Sequence, residues 1–135
     1  MKFSNLFVST LTGCLLVGAS GAAIAENTCE SGFITGVVEE DIVISGGPLA
    51  GCDINGATVR GNIIATGADV NIQFTDVSGV IRLVDGDTAV ISGSTATRIR
   101  VAGNKAAFLL GNVVNERIVV NRNQIARVKK NLAVD

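Results

Sequence analysis

The chain has 135 residues, a net charge of −1, and neither histidine, tryptophan nor tyrosine. Without histidine, Ser-His-Asp catalysis and imidazole metal sites are excluded. The near-neutral balance argues against a nucleic-acid binder, which normally carries a strong basic excess.

Residues 1–25 read as a secretory signal. Lys2 gives the positive start, Leu6 to Val17 the apolar run, and Ala23-Ile24-Ala25 the A-x-A type cleavage site. The run is interrupted by Ser9, Thr10, Thr12, Gly13, Gly18, Ser20 and Gly21. A transmembrane anchor would want about 20 strongly apolar residues. Leu11-Thr12-Gly13-Cys14 resembles a lipobox, but the chain stays apolar after Cys14, so cleavage after Ala25 is favoured over lipidation. The mature chain is then secreted or periplasmic and has no membrane span. It retains Cys29 and Cys52. In an oxidising compartment this pair is most simply one disulfide, which closes a loop worth about 3 kcal/mol. No C-x-x-C accompanies the pair, so a metal or redox role has little support.

After a cap segment (26–41), residues 42–135 carry an echo of about 18 residues. Isoleucine recurs at Ile63, Ile81, Ile99 and Ile118, and nine or ten residues later stand Ile72, Val90, Phe108 and Val128. A fixed short period marks a repeat architecture. Val59, Gly61, Ile63 and Ala65 alternate with Arg60, Asn62 and Ile64, which is the period of a strand with one buried face. Val77 to Leu83 and Thr95 to Val101 repeat the pattern. Turns follow at Gly67-Ala68, Asp85-Gly86, Gly103-Asn104 and Arg122-Asn123. A second short strand then presents Val70, Ile72 and Phe74, or Thr88, Val90 and Ser92, or Ala106, Phe108 and Leu110. An earlier coil fits the frame, with Ile44 aligned to Ile63 and Ile54 to Ile72. Ile125, Val128 and Leu132 line either a short capping helix or a last coil.

Stacked in parallel about 4.8 Å apart, these units make an all-β, single-stranded parallel β-helix (β-solenoid) of about five coils, on the order of 24 Å long. The rival is an antiparallel sandwich, which lacks a fixed period and matched turns. The left-handed hexapeptide helix also has 18 residues per coil. Its six-residue sub-period is poorly kept from Val59 through Ala65 and Asn71, so a right-handed coil is favoured.

The run Cys52-Asp53-Ile54-Asn55-Gly56-Ala57-Thr58-Val59-Arg60-Gly61-Asn62-Ile63 resembles the opening of small exported bacterial β-helix proteins of unknown function. The beat Val59-x-Gly61-x-Ile63 and Val77-x-Gly79-x-Ile81 is similar to bactofilins, β-helical proteins that form filaments by end-to-end stacking. This resemblance covers residues 42–128 and implies self-association without implying catalytic residues. The chain departs from bactofilins in its export signal and its cysteine pair.

Charge is sorted along the chain. Residues 26–97 hold ten acidic and two basic side chains, net −8; residues 98–135 hold eight basic and two acidic, net +6. In a solenoid sequence order is axial order, so the rod has an acidic first end and a basic last end. Head-to-tail homo-oligomers follow from such ends, as does binding of the basic end to an anionic polysaccharide or lipopolysaccharide. Charged edges also serve simply to block aggregation.

Arg82, Arg98, Arg100 and Arg117 fall on one outward face in neighbouring coils and form a candidate anion site; solvated arginine stems covering the sheet are the plainer reading. Asp69, Asp85 and Asp87 are a weak calcium candidate, since their spacing matches no calcium loop and aspartate is a common turn former. With no nucleophile–base pair, no phosphate loop and no long loops to wall a cleft, the sequence supports neither an enzyme nor a cofactor. The expectation is an exported structural or binding module.

Overall fold

A computed structural model describes residues 27–46 and 51–134. The signal segment with Cys14, and also Glu26 and Asp135, lie outside the described residues. Thirteen strands form one continuous parallel sheet wound into a β-solenoid of about five turns, with no helix among the described residues. They are β1 (Phe33–Val38), β2 (Ile42–Ser45), β3 (Gly51–Val59), β4 (Ile63–Thr66), β5 (Asp69–Gln73), β6 (Asp76–Val77), β7 (Val80–Val84), β8 (Thr88–Ser92), β9 (Thr95–Ala102), β10 (Ala106–Leu110), β11 (Val113–Asn121), β12 (Ile125–Lys129) and β13 (Leu132–Ala133).

The strands stack in three columns, so each coil has three sides. The first side runs from the start of β1 through the start of β3 to β5, β8, β10 and β12. The second runs through the ends of β1 and β3, β6, the starts of β9 and β11, and β13. The third runs through β2, β4, β7 and the ends of β9 and β11. The recurring isoleucines form one such column: Ile42, Ile63, Ile81, Ile99 and Ile118 lie in register on successive coils. The first four are fully buried.

Corners explain why the chain turns where it does. One column of left-handed residues, Gly67, Asp85, Gly103 and Arg122, separates the third side from the first. A second, Gly56, Phe74, Gly93, Gly111 and Lys130, separates the first side from the second. Only the former set is legible as turns from glycine and asparagine; the latter hides behind Phe74 and Lys130. The third corner is looser. Gly61 and Gly79 stack there, and a Cβ at Gly79 would lie 2.7 Å from the Gly61 carbonyl. The chain bends at these glycines, so the expected strand through Val59 to Ala65 is split into β3 and β4. Thr97 occupies the next coil, where β9 passes the corner without a break in the strand and its register against β11 shifts between Ala96 and Arg98.

The period is not a uniform 18. Ile63 pairs with Ile81 at 18 residues, but Ile72 pairs with Ile91 at 19. The extra residue enters at the corner between Val84 and Thr88, where Thr88 N donates to the side-chain Oδ1 of Asp69 (2.9 Å). A shift of one residue moves every side chain of a strand to its other face. The inward residues of β8 are therefore Ala89 and Ile91, and those of β10 Ala107 and Leu109. Val90 and Phe108 point outward, contrary to the uniform frame. Phe74 also faces out, 69% exposed, because the chain turns left-handed there and gives the inward corner to Thr75. At the far end, Ile125 and Val128 belong to β12 and Leu132 to β13, so the last coil continues the sheet and the capping-helix alternative falls away.

Cys29 and Cys52 lie at disulfide distance with their Cα atoms 6.1 Å apart. Both are buried and close the core at its first coil.

Candidate functional site

Polar ladders hold the corners and were not read from the sequence. Asn104 and Asn112 are 2% and 0% exposed, and buried asparagine is stable only when its amide is satisfied. Asn112 Oδ1 accepts from Ser94 N (3.0 Å), and its Nδ2 donates to Ile91 O and Asn131 Oδ1 (both 2.8 Å). Asn104 repeats the scheme with Gly86 N (2.9 Å), Leu83 O (3.1 Å) and Asn123 Oδ1 (3.1 Å). In the top coil, Asn123 donates to Val101 O (3.1 Å) and Asn131 to Leu109 O (2.9 Å). Each amide thus ties its own coil to the one beneath. The available signal was the spacing of Asn104 to Asn123 and Asn112 to Asn131, each 19 residues.

The four arginines come together on the third side. Arg82 is in register with Arg100, and Arg98 with Arg117. Arg98 and Arg100 are two positions apart on β9, so both project from the same face. Together they form a stepped row, Arg82 to Arg100 to Arg98 to Arg117, crossing three coils. Neighbouring guanidinium groups about 5 Å apart repel by about 1 kcal/mol even in water. One carboxylate answers them: Glu116 Oε1 accepts from Arg98 Nε (3.2 Å) and Nη2. Among the described residues Arg82, Arg100 and Arg117 have no ion pair, and Arg100 Nε is buried without a hydrogen-bond partner. Elsewhere Arg60 pairs with Glu39 (3.4 Å) and Lys105 with Asp87 (3.3 Å), while Arg122, Arg127, Lys129 and Lys130 of the last coil have no ion pair among the described residues. Both are exposed pairs, worth at most about 1 kcal/mol.

The three aspartates have structural work. Asp69 receives Thr88 N, Asp87 pairs with Lys105, and Asp85 is a left-handed corner residue beneath Gly103. Among the described residues no group of three His, Cys, Asp or Glu side chains is close enough to share a metal.

A shallow groove of about 400 Å³ lies instead on the first side, bordered by Gly51, Asp53, Asp69, Asn71 and Val90. Asp53 and Asn71 are in register there, and each has a buried Oδ1 without a partner.

The two ends of the stack are unlike. The first coil carries Glu30, Glu39, Glu40 and Asp41 and exposes Phe33 (51%) and Val37 (62%) on β1. The last carries Arg117, Arg122, Arg127, Lys129 and Lys130 and exposes Val128 (48%) and Leu132 (57%). Below β2 the edge is partly covered, since Asn27 bridges Ile42. Below β1 and above β12 and β13 no described strand pairs.

No protein-family model, curated protein or solved structure matches this chain. Its chemistry is therefore read from its own residues. The cysteine pair is compatible with an oxidising compartment. No helix among the described residues is long and apolar enough to cross a membrane.

Proposed function

We propose that this chain is an exported structural module that joins copies of itself end to end along the coil axis. The observation that carries the reading is that, among the described residues, the two ends of the stack present unpaired strand edges of opposite charge, each with exposed apolar side chains. An unpaired edge invites addition of another strand, and parallel addition repeats the pairing found between every two coils within the chain. In register, β12 of one copy lies under β1 of the next, with Arg127 beneath Phe33 and Leu132 beneath Val37. The basic last coil then faces acidic Glu30, Glu39, Glu40 and Asp41, which favours head-to-tail over head-to-head contact. The sequence adds a segment (1–25) suited to export and a similarity of beat to the filament-forming bactofilins. The reading assigns the chain no catalytic role.

Sedimentation velocity tests it. At about 50 mM salt, where the Debye length is long enough for the ends to attract, the weight-average sedimentation coefficient rises with concentration. At about 1 M salt the attraction is screened and the species shift toward monomer. A chain that remains monomeric at high concentration in both buffers overturns the proposal.

A further inference from the structure

We infer that the outward face of β7, β9 and β11 is a binding site for a linear polyanionic glycan, one bearing carboxylate or sulfate groups along its length. This inference is independent of end-to-end association, because the face lies on the flank of the rod.

Three observations carry it. The first is the row itself. Register fixes Arg82 against Arg100 and Arg98 against Arg117, so the four Cα atoms follow an oblique line with steps of about 4.8, 6.6 and 4.8 Å. Planar forks spaced in this way suit a chain of oxyanions better than a single small anion. The second is the missing partners. Among the described residues Arg82, Arg100 and Arg117 have no ion pair, unlike Arg60 and Lys105, a lack they share with Arg122, Arg127, Lys129 and Lys130 of the last coil. The third is Arg100 Nε, a buried donor with no acceptor at the centre of the row. A buried charged donor left unpaired is costly, and an arriving oxyanion removes that cost.

The neighbours of the row narrow the ligand. They are Ile64, Val84 and Val119, with no aromatic ring in the columns of the third side. Single-stranded nucleic acid is held by stacking bases on aromatic side chains, and this face offers none. Phe33, Phe74 and Phe108 all belong to the first side or its corner. Glu116 gives the site an internal competitor: it holds Arg98 in the free protein and must yield for a ligand to engage all four arginines.

Retention of the full chain on a heparin column in a salt gradient tests the inference. R82S/R98S/R100S/R117S is expected to elute with little retention. A variant that replaces Arg122, Arg127, Lys129 and Lys130 with serine loses the same charge from the basic end and is expected to keep most of its retention. It also weakens end-to-end contact, so the two proposals fail separately. R100S alone is expected to weaken affinity for a heparin oligosaccharide about tenfold, the loss of one charge-assisted hydrogen bond. E116Q, which removes the competitor without disturbing any buried group, is expected to tighten it. Equal loss in the two quadruple variants, unchanged binding in E116Q, or equally tight binding of a DNA duplex of matching charge would each overturn the assignment.

Discussion

Replacing Asn112 by alanine removes the central rung of one corner ladder. Three hydrogen bonds go with it: Ser94 N to Asn112 Oδ1 (3.0 Å), Asn112 Nδ2 to Ile91 O (2.8 Å) and Asn112 Nδ2 to Asn131 Oδ1 (2.8 Å). The site is fully buried, so water does not readily replace them. A buried backbone N–H left without an acceptor costs about 1–3 kcal/mol, and the deleted amide leaves a cavity in the buried corner. Together these come to about 3 kcal/mol. For a domain of this size the melting temperature then falls by about 10–15 °C. Urea unfolding followed by circular dichroism measures the loss. Asn55 supplies the comparison: it lies on the outer surface and makes one long contact to Gln73 (3.4 Å), so N55A should cost about 0.5 kcal/mol or less. If N112A unfolds within about 0.5 kcal/mol of the parent, or N55A costs as much as N112A, the ladder does not hold the corner and the reasoning fails.

Three further outcomes follow from the same geometry. Ile72 is fully buried in the middle of the first side, so I72A should lower stability by about 3–4 kcal/mol in the same urea assay. A Cβ at Gly86 would strike the Ala68 carbonyl of the coil below, whereas one at Gly111 meets open space but at a φ of +68°. G86A should therefore cost about 2–3 kcal/mol through backbone displacement, and G111A about 1–2 kcal/mol through conformation alone. Replacing Cys29 and Cys52 by serine opens a loop spanning 23 residues and should cost about 3 kcal/mol; thermal melts with and without reductant report the same difference for the parent chain.

The parallel stack was legible because buried isoleucine repeats at nearly fixed spacing, and Ile63, Ile81 and Ile99 do lie on one another. The placement of the arginines followed from the same frame, because β7, β9 and β11 keep the alternation that puts Ile99 in and Arg98 and Arg100 out. The first side was misread where a single residue enters the corner between Val84 and Thr88. A uniform period turns β8 and β10 inside out, since period-two alternation has no tolerance for an odd insertion. The second corner was harder to read because Phe74 and Lys130 interrupt its column of Gly56, Gly93 and Gly111, whereas in the first corner Asp85 and Arg122 are each followed by a turn-forming Gly86 or Asn123. The asparagine ladders escaped notice because buried polar side chains break the expectation that only apolar positions mark the interior. The partial cover of the β2 edge by Asn27 depends on where the chain enters the first coil, which no periodicity encodes.

End-to-end association is tested most directly by a cysteine pair at the proposed contact. Val37 and Leu132 occupy the same column, separated by Thr58, Asp76, Thr95 and Val113 on the coils between them. That is five steps, about 24 Å, too far for a disulfide within one chain. In two stacked copies they become neighbours about 4.8 Å apart, inside the range a disulfide spans. Under mild oxidation V37C/L132C should give a ladder of dimers, trimers and longer multimers on a non-reducing gel, while V37C alone stops at a dimer. A double variant that yields no species beyond those of the single variants would contradict the stacking account.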